Sequence, residues 1–398
     1  MDAAARTLDA EILKFIAAHR TQPAPEESFA ELAFKVFRHQ YERNLFYRRL
    51  CDAEGNTPGI LSSWKDIPAM PAAGFKELVL TSYPKKNAVK VFRTSGTTRD
   101  VKGASATGVR HKALADSSAG RIRRSFWRTS ADASRGVHFF DTLKLTEAAL
   151  IPSFEKYMLP DAAGCRLFFL TASPLDAPHS SLSNMMGVVN HKFSNPRGKF
   201  YVKGETLLFE ALVRDLGGCR RKVMLLSTAF ALKAFLDRLA ARNMKLKLPE
   251  GSRLMETGGF KGRTKEVSKA ALYRACAGRL GIKPTHCVSE YGMTELSSQF
   301  YDTTLFDIVN KNKRRPFKAG PAWVRTVVVD PVTGREAKHG KPGLLRHYDL
   351  ANRGSVMAVE TEDLGRARGE GFELLGRAPG AVVRGCSLAY ETLVGSGA

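Results

Sequence analysis

The apolar positions of this chain recur at helical spacing first and at strand spacing later. Leu8, Ile12, Phe15 and Ile16 fall on one face of a segment spanning residues 8 to 19, and Glu11 and Lys14 lie between them. Phe29, Leu32, Ala33, Val36, Phe37 and Tyr41 predict a second helix from Glu27 to about Leu50. Pro23, Pro25 and Glu26 make the break between the two. From Gly55 to Pro84 the chain is rich in proline and glycine. This reads as a surface crossing that presents Trp64 and Phe75 as anchors.

Continuous apolar runs of strand length follow. Gly136–Asp141 is a short strand, and Cys165–Leu170 and Lys222–Leu226 read as buried ones. They alternate with helical patterns at 205–216, 229–243 and 264–280, and residues 108–124 read as loop plus helix. Buried strands alternating with helices predict an α/β layered domain with a largely parallel sheet. The last hundred residues change character. Val324–Asp330, Gly343–Tyr348, Val356–Glu360 and Phe372–Leu375 are β-like runs separated by turn clusters, which predicts a small β-subdomain. The expected organisation is a helical segment at 1–58 packed on a main domain at 59–385, then a short tail at 386–398.

Composition adds one unusual feature, a formal charge of +23. The basic residues are dispersed (Arg121, Arg123 and Arg124; Arg220, Arg221 and Lys222; Lys311, Lys313, Arg314 and Arg315), and no zinc-finger, RNP or basic-zipper pattern holds them together. They read as solvated faces, with an anionic substrate in view and no specific nucleic-acid partner. Six cysteines without a C-x-x-C pair argue against a zinc site or a disulfide framework and fit a cytoplasmic location. The longest apolar stretch, near Val223–Phe235, is too short and too interrupted to span a bilayer, so no transmembrane segment is expected.

Ligands of parallel sheets bind beyond the carboxyl ends of the strands, and the chemically loaded stretches follow strand-like runs. Val91-Phe92 leads into Arg93-Thr94-Ser95-Gly96-Thr97-Thr98, with Lys102 after it. Glycine, hydroxyls and cations in that order suit a polyphosphate. The same letters also describe an ordinary Ser/Thr/Gly turn, and no Walker motif occurs. Ser227-Thr228-Ala229-Phe230, Thr257-Gly258-Gly259 and Ser289-Glu290-Tyr291-Gly292-Met293-Thr294-Glu295 each close a predicted strand. His138 lies beside two aromatics and is either a hydrogen-bonded core histidine or part of an acyl pocket.

Taken in order, the loop at 94–98, Glu256–Lys261, Tyr291–Glu295 and Thr361-Glu362-Asp363-Leu364-Gly365 resemble the adenylate-forming superfamily. The closing Gly376-Arg377-Ala378-Pro379-Gly380 and Arg384-Gly385-Cys386-Ser387-Leu388 resemble the LuxE-type acyl-protein synthetases, as do Trp64, Ile67-Pro68, Pro71 and Phe75-Lys76. The resemblance covers roughly residues 60 to 390. It implies the N-terminal-domain fold of the superfamily, with the usual C-terminal domain largely absent.

The implied activity is ATP- and Mg²⁺-dependent conversion of a carboxylic acid, here a fatty acid, to an acyl-adenylate, then transfer to a cysteine thiol. The implied roles are Thr94, Ser95, Gly96, Thr97 and Thr98 on the phosphates, with Lys102 screening charge. Tyr291 with Gly292 would stack on adenine, Thr294 would bind the α-phosphate, and Glu295 would hold magnesium. Asp363 would take the ribose hydroxyls with Arg377 nearby, and Gly258 and Gly259 would admit the nucleotide. His138, Thr228 and Phe230 would line the acid pocket, and Cys386 would carry the acyl group.

Each residue has a plainer alternative: Tyr291 as a core aromatic, Asp363 as a turn cap, Glu295 as a helix cap, Cys386 as a small buried hydrophobe. An acyl-reductase or acyl-carrier protein is the implied partner. An acyl- or aryl-CoA ligase, or a stand-alone adenylating enzyme, is the competing reading. A nucleic-acid or anionic-scaffold binder with a degenerate nucleotide site is a third.

Overall fold

The computed structural model describes residues 2–94, 135–162, 164–258 and 267–378. Helix α1 (Ala3–Ala18) starts where the Asp2 carboxylate accepts from the Ala5 N–H at 2.8 Å. The single helix expected over 27–50 is two, α2 (Glu26–Arg43) and α3 (Leu45–Glu54). Asn44 breaks it: its backbone is extended, and its side chain accepts from Tyr47 N–H at 3.2 Å, capping α3. Periodicity could not show this break, because Tyr47, Leu50 and Cys51 continue the buried face beyond it. That face, with Ile12, Phe29 and Phe37, shares a core with Trp323 and Val359 far along the chain.

Trp64 and Phe75 are buried. Strand β1 (Met70–Pro71) pairs in parallel with a late strand, and the short helix α4 (Gly74–Glu77) follows it. Strands β2 (Lys90–Arg93) and β3 (Val137–Phe140) form an antiparallel ribbon. The chain then alternates through α5 (Lys144–Met158), β4 (Arg166–Ala172), α6 (Ser181–Phe193), β5 (Lys199–Lys203), β6 (Thr206–Leu207) and α7 (Phe209–Gly217). It continues through β7 (Val223–Thr228), α8 (Ala229–Ala241), β8 (Arg253–Thr257), α9 (Lys269–Leu280) and β9 (Cys287–Tyr291). Helix α7 starts later than its apolar pattern suggests, because Thr206 and Leu207 pair with β5 instead.

Strands β5, β4, β7, β8 and β9 lie side by side in parallel. Leu225 and Leu254 face a core built with α7, α8 and α9, whereas Met224, Leu226, Met255 and Val288 face α5 and α6. Continuous apolar runs are what a sheet covered on both faces requires.

The small β-subdomain expected to finish the same unit is continuous with the parallel sheet. Strands β10 (Phe300–Asp302), β11 (Lys318–Ala319), β12 (Val324–Val329), β13 (Pro342–Asp349), β14 (Ala358–Arg368) and β15 (Gly371–Arg377), with helix α10 (Thr304–Val309) after β10, extend the same sheet in antiparallel fashion. The join runs through β11, whose pairing with β15 has the single register Lys318 opposite Phe372. Thr361–Gly365 is no turn. It lies inside β14, where Asp363 pairs with Arg377 of β15 and Leu364 and Gly365 pair on both edges; the register shifts against β13 between Leu344 and Arg346 and against β15 between Leu364 and Gly365.

Candidate active site

A cleft of about 520 Å³ opens at the carboxyl ends of β7, β8 and β9. Thr94, Thr228, Phe230, Gly258, Gly292, Thr294, Glu295, Asp363 and Arg377 line it, so residues far apart in sequence meet there. Ser95, Gly96, Thr97, Thr98, Lys102, Gly259 and Cys386 lie outside the described residues.

Thr94 is fixed by a reciprocal pair. Its N–H donates to the Gly136 carbonyl at 2.9 Å, and its hydroxyl accepts from Gly136 N–H at 2.8 Å. Thr228 closes β7 and caps α8 by accepting from Ala231 N–H at 3.1 Å, so its hydroxyl is already engaged. Gly258 has φ +74, a left-handed conformation that favours glycine.

Thr294 and Glu295 sit in a non-helical loop after β9, so Glu295 caps no helix. That loop is held from below. Asn352 donates to the Glu295 carbonyl at 2.7 Å. The Asp349 carboxylate accepts from the N–H groups of Ser297 and Ser298 at 3.0 and 2.8 Å, and from the Ser298 hydroxyl at 2.9 Å. The Thr294 hydroxyl stands 3.4 Å from that of Ser181 at the start of α6. Glu295 is buried, and the loss of water raises its carboxyl to about 7. Lys76 and Arg377 act on it through space, and among the described residues no side chain forms an ion pair with it.

Two expected positions are elsewhere. His138 does not line the cleft. It is buried beneath the loop, with Nδ1 2.8 Å from the Thr294 carbonyl. Burial lowers its imidazole to about 4, so the ring is neutral, and a carbonyl partner requires the proton on Nδ1. Tyr291 likewise offers no stacking face to the cleft. Its ring is buried against Phe300, His347 and Phe372, because strand pleating turns it to that side of the sheet. Its hydroxyl donates to Asp363 Oδ2 at 2.8 Å. Arg377 ion-pairs with Glu362 at 3.1 Å and with Asp363 at 3.6 Å from the open side.

Lys76, Ser181 and Glu290 also line the cleft, and sequence reasoning assigned them nothing. The β1–β14 pairing brings Lys76 there, and no local pattern encodes that pairing. Glu290 stood next to a motif but outside it. Away from this polar end, Leu150, Leu182 and Met185 make an apolar wall. Among the described residues no group of three or more His, Cys, Asp or Glu side chains could hold a metal ion, and no helix is long and apolar enough to cross a membrane.

The family model described as acyl-protein synthetase, LuxE, matches residues 217–394. Among solved structures, 2-hydroxyisobutyryl-CoA ligase in the postadenylation state with 2-HIB-AMP is similar at 14% identity and a TM-score of 0.59, over 89% of this chain and 69% of that one. The same ligase with R3-HIB-AMP is similar at 14% identity and a TM-score of 0.60, over 90% and 69%. At such identity the likeness is one of fold. No curated protein matches the chain in sequence. Over residues 217–394 the chain thus carries the sequence pattern of the LuxE acyl-protein synthetases, on a fold shared with adenylate-forming ligases.

Proposed function

We propose that the protein activates a carboxylic acid with ATP and passes the acyl group to a thiol. The observation that carries this reading is the meeting of Thr94, Thr294, Glu295, Asp363 and Arg377 in one cleft whose other end is apolar. The acid's carboxylate attacks the α-phosphorus, the bond to the bridging oxygen breaks, and pyrophosphate leaves. Such a reaction is governed by positioning and by stabilising charge on phosphate oxygens.

The Thr294 hydroxyl donates to an α-phosphate oxygen, and Lys76 and Arg377 supply fixed positive charge. Asp363, oriented by Tyr291, accepts from the ribose hydroxyls. The backbone at Thr94 leads into the hydroxyl-rich stretch that holds the outer phosphates. Glu295 fits magnesium: it is a cleft carboxylate without an ion-pair partner among the described residues, and Mg²⁺ binds through one or two carboxylates together with phosphate and water. Glu295 would hold the metal there, and the metal would supply positive charge for the phosphate oxygens.

The acceptor in this reading is Cys386, whose thiolate displaces AMP to form a thioester and would pass the acyl group to a partner protein. Acid-dependent ATP–pyrophosphate exchange, screened over fatty and aromatic acids, tests the first half. It should require magnesium and vanish in Glu295→Ala at unchanged thermal stability. A hydroxylamine-labile adduct that maps to Cys386 and disappears in Cys386→Ser tests the second half. Exchange without any adduct would move the acceptor to coenzyme A or another small molecule.

A further inference from the structure

Glu290 has no part in that scheme, yet it forms part of the cleft wall and is only 5% exposed. Its direction follows from the pleat of β9. Val288, two residues earlier, belongs to the core shared with Leu150 of α5 and Met185 of α6, and Tyr291 faces the other side. Glu290 therefore opens on the apolar end of the cleft, away from Asp363.

Its partners are few. Oε2 accepts from the hydroxyl of Thr257, its cross-strand neighbour on β8. Oε1 lies against Gly292, where an added Cβ would stand 2.5 Å from it. The absence of a side chain at 292 leaves that oxygen its room. Lys318 acts on Glu290 from behind but is tied to Asp302 at 3.2 Å and to the Ser289 carbonyl. A carboxylate can accept several hydrogen bonds, and among the described residues Glu290 has one. Burial raises this carboxyl to about 7, as expected of a group short of donors.

We propose that Glu290 is a specificity-determining residue that accepts a hydrogen bond from a hydroxyl or ammonium group on the body of the acid. The preferred substrate is then a polar-substituted acid rather than a plain alkanoic one. This rests on the acid-activating reading above. A chain of methylenes would remove the remaining water from Glu290 and give nothing back, whereas a donor restores the lost bond. Sites built around such a bond discriminate strongly against analogues that lack it.

The test is pyrophosphate exchange with matched pairs of linear and aromatic acids that differ only in a methyl versus a hydroxyl or amino group. For wild type, kcat/KM should favour the hydroxyl or amino member by about a hundredfold or more. Glu290→Leu should reverse the preference and leave the KM for ATP unchanged. Glu290→Gln, which still accepts, should keep the hydroxyl preference and lose the ammonium one. Should Glu290→Leu not fold, the Gln comparison decides alone.

Preference of wild type for the methyl member overturns the proposal, as does unaltered discrimination in the variants. A rise confined to the KM for ATP would mean that the carboxylate reads the nucleotide instead, which also overturns it. Absence of exchange with every acid removes the acid-activating reading, and this inference with it.

Discussion

The hydroxyl of Tyr291 holds Asp363 at 2.8 Å from inside the sheet, while Arg377 approaches the other carboxylate oxygen from solvent at 3.6 Å. Asp363 is thus aimed by a residue on β9 and a residue on β15. Burial raises its carboxyl, and the Tyr291 hydrogen bond opposes that shift. Tyr291→Phe should leave the aromatic packing in place and cost about 1 kcal/mol of stability. Nucleotide affinity should fall about five- to tenfold, since the carboxylate loses its orienting donor. Calorimetric titration with ATP, beside a denaturation curve, checks both. Unchanged affinity would mean that Asp363 needs no such aim.

Glu295 gives a pH signature in the unliganded protein. Its folded-state value, about 7, lies above the ordinary 4.5, so between those values the folded state holds a proton that the unfolded state has released. Its contribution to stability is therefore present at low pH and lost as pH rises through 7. Glu295→Gln removes that loss. Relative to wild type, the variant should gain on the order of 1–3 kcal/mol between pH 5 and pH 8. Denaturant titrations at several pH values measure the gain. The comparison cancels the buried histidines, which act on both proteins alike.

His138 should behave in the opposite sense. Its folded-state value of about 4 lies below the ordinary 6.5, so its contribution is present above 6.5 and lost as pH falls toward 4. His138→Phe should cost about 1–3 kcal/mol at pH 8, because the buried Thr294 carbonyl loses its donor. The deficit should shrink at pH 5. Exchange activity should drop by more than the stability loss explains, since Thr294 moves with its carbonyl.

Asp349 accepts from the N–H groups of Ser297 and Ser298, so Asp349→Ala leaves buried donors without partners beneath the Glu295 loop. A loss of about 3–5 kcal/mol is expected. Hydrogen exchange at 297 and 298 should rise well before global unfolding. Protection equal to wild type would show that other groups hold the loop.

The parallel part of the sheet was legible in the sequence because its strands are covered on both faces, and solid apolar runs such as Val223–Leu226 have few other homes. The motifs that end those strands could be placed in one cleft for the same reason. Side-chain direction was less legible. Tyr291 and Glu290 are adjacent letters, and only the pleat decides that the first turns into an aromatic cluster and the second into the cleft. Lys76 reaches the cleft, and His138 the underside of its Thr294 loop, through strand pairings that no local pattern encodes. The plainer alternative for Asp363, a turn cap, does not describe it. Its pairing with Arg377 of β15 places it in a strand instead.

The join at β11 has a mechanical meaning. Two residues of strand connect the parallel and antiparallel halves, with one register pair to β15. A ladder that narrow cannot by itself make the halves melt together. The ring cluster of Tyr291, Phe300, His347 and Phe372 bridges them, beside the hydrogen bonds of Asp349 and Asn352 to the Glu295 loop. Aromatic contact is thus part of the solder between the halves, and Phe372→Ala should lower the cooperativity of unfolding, read as a broader denaturation curve. Because Tyr291 belongs to the solder, loosening it would disconnect Asp363 from the acid-binding side while each half kept its own shape.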